Sequence, residues 1–189
     1  MAPVAGGRVR GGILGASLAC ALFAGVAAVS GVEVDQQQLE AAYLYKFGGY
    51  VTWPDKAFAK ADSPIVIGVV DADRLADDLT NLVAGRTIAG RPVAVKRVHA
   101  EDSLAGVHIL FLGGVGSAQA AGLFESARGR PILVVTEGGD GLARGAAVSF
   151  VVVDERVRFD VSLDAVQDSG LKLSALLLSV AHEVRGARQ

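Results

Sequence analysis

Pro64-Ile65-Val66-Ile67-Gly68-Val69-Val70-Asp71 is the stretch on which the fold turns. An unbroken uncharged, β-rich run between a proline and an aspartate suits a strand covered on both faces, as the central strands of a parallel sheet are. Leu75, Leu79, Leu82 and Val83 follow at once in helical spacing. The theme then recurs. Residues 93–98 and 107–112 read as strands and Ala118–Ala127 as a helix. Pro131 leads into Ile132-Leu133-Val134-Val135, again apolar on both faces. Upstream, Asp35-Gln36-Gln37-Gln38 has the capping-box arrangement that opens a helix. Leu39, Tyr43, Phe47, Tyr50 and Val51 follow at helical spacing, and Pro54 stops the run.

The last third changes character. Val148–Val153 and residues 157–163 are β-rich runs separated by Asp154-Glu155-Arg156, the pattern of an antiparallel hairpin. Val157, Phe159, Val161 and Leu163 alternate with Arg156, Arg158, Asp160 and Ser162, which predicts one buried and one wet face. Leu173, Leu176, Leu177, Val180, Ala181 and Val184 fall on one stripe and predict a final helix. Its end carries Arg185 and Arg188, as the helix dipole favours. Strands alternating with helices, then a hairpin, give the expected class. It is a single three-layer α/β sandwich with a mixed, mostly parallel sheet, a C-terminal antiparallel hairpin and flanking helices.

The N-terminus predicts where the domain works. Arg8 and Arg10 precede an uncharged run from residue 11 to residue 32, and small residues stand at Ala28 and Ser30. These are the parts of a secretory signal, placing cleavage near Ser30, with residues 1–30 the signal peptide and 31–189 one mature domain. An uncleaved anchor is the alternative, but the run is rich in Gly, Ala and Ser rather than Leu and Phe. Cys20 is the only cysteine and lies inside the signal, too early for a lipoprotein site. The mature chain therefore holds no thiol for a disulfide or a thiolate metal site. The net charge is -2 and no basic stripe is visible, which argues against nucleic acid as a partner.

Catalytic and cofactor patterns fail one by one. Gly113-Gly114-Val115-Gly116-Ser117-Ala118-Gln119 follows a strand and opens a helix, but Gln119 stands where a dinucleotide loop needs a third small residue. Asp71 and Asp73 lack further ligands for Mg²⁺ and read as caps of the next helix. His182-Glu183 begins like a zinc-protease helix, but Gly186 occupies the second histidine's place. Three histidines without a mature cysteine make a dedicated metal site improbable. His108, in an apolar strand, reads as a hydrogen-bonded core or edge histidine. Glu137-Gly138-Gly139-Asp140-Gly141 resembles a cyclase signature but lacks the following Glu-Phe. No enzyme, cofactor or metal is expected. A rival enzyme of unknown chemistry would depend on Asp71, Asp73 or His108. A rival small-molecule sensor would place its pocket at the strand ends near Asp71, Gly113 and Glu137.

The segment Ala41-Ala42-Tyr43-Leu44-Tyr45-Lys46-Phe47 through Val51-Thr52-Trp53-Pro54 resembles the opening of the YfiR family, in which "A-x-x-L-Y-x-F…V-x-W-P" follows a signal peptide. Ile67-Gly68-Val69, Ile88-Ala89-Gly90-Arg91-Pro92-Val93, His108-Ile109-Leu110-Phe111-Leu112, Arg156-Val157-Arg158-Phe159-Asp160-Val161-Ser162-Leu163 and Gly170-Leu171-Lys172-Leu173-Ser174-Ala175-Leu176-Leu177 continue the series in order. Each motif alone is mostly core and turn; the ordered set covers nearly the whole mature chain. The resemblance implies a small exported α/β regulator, whose type member is a periplasmic repressor of an inner-membrane diguanylate cyclase and acts by protein contact. It thus implies a periplasmic location and, as partner, the periplasmic domain of a diguanylate cyclase or sensor kinase, with a homodimer as an open alternative. This chain lacks the cysteines of the best-known members, so redox control of their kind is not expected.

Tyr43, Lys46, Tyr50 and Trp53 on the first helix and its end, with Arg156 and Arg158 on the exposed strand face, are the candidate partner-binding residues. Tyr, Trp and Arg most often anchor interfaces, and Lys46 and Tyr50 are four apart on one helix face. The plainer readings are that Trp53 packs the helix end onto the core and that the two arginines are merely solvated.

Overall fold

A computed structural model describes residues 35–114, 118–138 and 140–186 of the chain. The predicted signal segment with the cleavage expected near Ser30, Cys20, residues 115–117 of the glycine loop, Gly139 and Arg188 lie outside the described residues. Helix α1 (Gln36–Tyr50) begins at Asp35, whose Oδ1 accepts from the Gln37 amide at 3.1 Å. Its C-terminus runs into β1 (Val51–Thr52). Then follow β2 (Ile65–Val70), α2 (Asp73–Val83), β3 (Thr87–Ile88), β4 (Arg91–Arg97), β5 (Ile109–Leu112), α3 (Ala118–Ala127) and β6 (Leu133–Glu137). The hairpin strands are β7 (Val148–Val153) and β8 (Arg156–Ser162). After them come α4 (Leu163–Asp168), β9 (Lys172–Leu173), α5 (Ala175–Val180) and β10 (Glu183–Arg185).

The main sheet has the order β10-β8-β7-β6-β5-β2-β4-β3 among the described residues. Its centre is parallel, and the β7–β8 and β3–β4 pairs are antiparallel. The apolar run Ile65–Val70 is the pivot: as β2 it lies between β4 and β5, flanked on both edges. Burial on both faces is why it is apolar at successive positions rather than alternating.

Side-chain alternation divides the core into two layers. Ile67, Ile109, Phe111, Phe150 and Phe159 pack beneath α1, α2 and α5 with Leu44, Phe47, Leu79 and Leu177. Leu110, Leu112 and Val134 pack on the other face with Leu123 and Phe124 of α3. Helix α1 comes so close to β3 that a Cβ on Gly48 would stand 2.5 Å from Ile88 Cδ1. The sandwich of helices, mixed sheet and helix matches the class the sequence predicts. No helix among the described residues is long and apolar enough to cross a membrane.

Three local expectations need correction. The final helix stops at Val180 and the chain returns to the sheet as β10, parallel to β8. Ser174 caps α5 through its Oγ, which accepts from Leu177 N at 3.2 Å. Ala181 is already extended, and His182 N donates to Phe159 O at 2.8 Å. The open edge of β8 thus supplies partners that a longer helix would not use. Asp160, assigned to the wet face, is buried because β10 covers it. Asp71 and Asp73 do not cap α2: Ala72 is the N-cap and makes no side-chain capping bond, while Asp73 is the helix's first residue and pairs with Arg97.

Candidate functional site

The Trp-Pro segment is fixed from below by His108. Trp53 is buried at 8% exposure and its Nε1 donates to the His108 carbonyl at 3.3 Å. The imidazole is committed at both nitrogens: Nδ1 accepts from the Val66 amide at 3.2 Å, and Nε2 faces the Ala57 carbonyl at 3.2 Å, which requires Nε2 to carry the proton. Burial lowers the pKa of His108, opposed by the hydrogen bond to Ala57. Phe58 stacks on the ring at 4.5 Å, and the Arg91 guanidinium lies 3.7 Å over Phe58. Arg91 also donates to the carbonyls of Lys60 and Ser63, so it holds a loop rather than standing free in solvent. His108 is therefore a framework residue, with neither nitrogen available as a catalytic base. Trp53 belongs to the core and is not available for surface contact.

The other candidate contact residues separate into two surfaces. Tyr43 is half-buried over Phe47, Phe150 and Phe159, with centroids 5.6–5.9 Å apart, and is largely an extension of the core. Lys46 is exposed and Tyr50 half-buried on α1. Arg156 and Arg158 are exposed, but they alternate with Val157 and Phe159, which point into the layer beneath α1. The arginines consequently lie on the reverse face of the sheet from Lys46 and Tyr50. A single flat contact would not take in both sets.

The surface near α1 is extended by residues that the sequence places on the stripe of the final helix. Leu176, Val180 and Val184 are 59%, 55% and 41% exposed. Leu176 and Val180 are four apart on α5 and share a face. The start of α5 is tied to the end of α1 by Ser174 N donating to Tyr50 O at 2.9 Å, beside the β1–β9 pair. In register, Val184 stands opposite Val161, on the same face of the sheet as the helices.

A second feature had no sequence signal. Glu40 lies on the inner side of α1 with 0% exposure. Its Oε1 accepts from Gln36 Nε2 at 2.9 Å, and the same nitrogen donates to Glu137 Oε1 at 3.2 Å. Glu40 Oε2 has no partner among the described residues. Burial raises the Glu40 pKa to about 7; the Gln36 bond opposes this, and the charges of Glu137 and Asp35 add to it. The cluster borders a hollow of about 300 Å³ whose wall includes Phe150, Val151 and Val152. A glutamate in a helix reads as a solvent residue, and only the register of α1 on the sheet reveals it as buried.

Of the three strand-end residues proposed for a sensor pocket, only Glu137 borders this hollow. Asp71 and Gly113 are packed together instead: a Cβ on Gly113 would stand 2.9 Å from the Asp71 carbonyl. Asp73 and Asp77 are both engaged by Arg97, at 3.1 and 2.5 Å. Among the described residues no group of three metal-ligating side chains converges. A family model described as YfiR/HmsC-like matches residues 37–182, so the chain belongs to the YfiR/HmsC-like family.

Proposed function

We propose that the protein is a non-enzymatic regulator that works in the periplasm, binds the periplasmic part of an inner-membrane signalling protein and holds it inactive, with a diguanylate cyclase as the first target. Membership of the YfiR/HmsC-like family over residues 37–182 carries this reading. The contact surface proposed is the helical side of the sheet edge: Lys46 and Tyr50 with Leu176, Val180 and Val184. Three large aliphatic side chains left in water there would gain roughly 25 cal/mol for each Å² covered by a partner. The expected location also agrees with the basic and apolar N-terminal segment before Glu33.

Crosslinking the exported protein in cells, followed by identification of the captured membrane protein, tests the contact. Capture that Leu176→Asp abolishes supports it. Capture of a second copy alone would make this face a homodimer contact and contradict the inhibitory role assigned to it.

A further inference from the structure

We propose that the hollow bordered by Gln36, Glu40, Glu137, Phe150 and Val152 binds an organic ammonium compound, its nitrogen taking the place of the Gln36 amide between the two carboxyl groups. This site does not depend on the regulator reading. The position is already occupied by a nitrogen donor: Gln36 Nε2 bridges Glu40 Oε1 at 2.9 Å and Glu137 Oε1 at 3.2 Å. An ammonium group offers three donors where this amide uses two, and charge-assisted bonds to carboxylates are roughly twice as strong as neutral ones. Gln36 is an exposed residue of the first helical turn, so its side chain can swing into water without disturbing the core.

Glu40 supplies the independent reason. Its buried Oε2 lacks a partner among the described residues, and a buried acceptor left unpaired has lost its water without recompense. A third N–H would satisfy it. Arg74 does not serve, since it is engaged with Asp35. Phe150, Val151 and Val152 offer an apolar wall for the ligand's hydrocarbon body. A divalent metal fits poorly, because Mg²⁺ and Ca²⁺ take about six or more oxygen ligands and no three metal-ligating side chains converge among the described residues.

Binding should be linked to protons. Glu40 faces Asp35 and Gln36 from its own helix and Glu137 from β6, and its pKa stands at about 7. A bound cation favours the carboxylate, so binding releases a proton and tightens as pH rises through that value.

The test is calorimetric titration of the mature full-length chain with phenethylamine at about pH 5.5 and about pH 8.5, with phenylacetate and calcium chloride as parallel arms. Phenethylamine is expected to bind more tightly at the higher pH, and phenylacetate not at all. Glu40→Gln and Glu137→Gln should each weaken binding about tenfold or more. Gln36→Ala, which removes the competing amide, should strengthen it. Glu137 is at a strand end and half-buried, so its variant keeps the test valid even if Glu40→Gln is unstable. Absence of phenethylamine binding, indifference to Gln36→Ala, or calcium binding lost in the same variants would overturn the assignment.

Discussion

Asp160 and His182 meet through a 2.8 Å contact between Oδ1 and Nδ1, and this pair fixes the end of the chain to the sheet. Asp160 is only 6% exposed, and Arg185 approaches its second oxygen at 3.8 Å. With the His182 amide bound to Phe159 O, side chain and backbone dock the last strand together. His182→Ala leaves a buried carboxylate without its nearest partner, which should cost about 1–3 kcal/mol. Thermal unfolding should shift downward, and the amides of Glu183–Arg185 should exchange faster. Unchanged melting and exchange would show that the pair does not anchor β10.

Trp53 is expected to matter for folding and not directly for partner contact. Trp53→Phe retains most of the packing but loses the bond to the His108 carbonyl, a loss of about 1 kcal/mol plus a small cavity term. Trp53→Ala should cost about 3–5 kcal/mol. Chemical denaturation measures both. A Trp53→Phe variant that folds with near-native stability yet fails to bind the partner would return Trp53 to the interface.

The first two-thirds of the fold was legible because its signals are local. Ile65–Val70 and the runs at 109–112 and 133–135 are apolar on both faces because both faces are covered, and the Asp35 cap is written in its neighbours. The C-terminal stripe misled because its helical periodicity says nothing about a free sheet edge competing for the chain after Val180. Glu40 and Asp160 were invisible for the same reason. Each is buried by a long-range register, of α1 on the sheet and of β10 on β8, that a charged letter does not disclose. The candidate surface was legible in part: Lys46 and the two arginines are exposed as expected, but their assignment to opposite faces required the strand alternation to be set against α1.

Glu40 should give the protein a pH-dependent stability of known sign. Its pKa is about 7 in the folded chain, against the ordinary glutamate value of 4.5 that holds once the chain unfolds. Between those values the folded state holds a proton that the unfolded state has released, so this contribution falls as pH rises through the window and levels off above about pH 7. The whole effect is at most about 3 kcal/mol. Glu40→Gln, which mimics the protonated acid, should remove that slope and melt higher than the parent at about pH 8. A parallel slope in the variant would assign the pH dependence to other groups.

The division of the candidate contacts between two faces predicts different outcomes for two charge reversals. Lys46→Glu should weaken partner binding, and Arg158→Glu should leave it intact, because only Lys46 lies on the side of α5. Both substitutions are at exposed positions and should change stability by no more than roughly 0.5 kcal/mol. Binding by crosslinking yield and unfolding by calorimetry separate the effects. Loss of binding on Arg158→Glu alone would move the contact to the reverse face.

The most direct test of inhibitory regulation is the cellular level of cyclic-di-GMP in a strain lacking the protein, complemented either with the parent chain or with the Leu176→Asp, Val180→Asp double variant. Both positions are solvent-exposed, so the double variant is expected to fold and accumulate normally. The level should rise on deletion, return with the parent and stay raised with the variant. A level that deletion leaves unchanged, or that the variant restores as fully as the parent, would contradict inhibition through this surface.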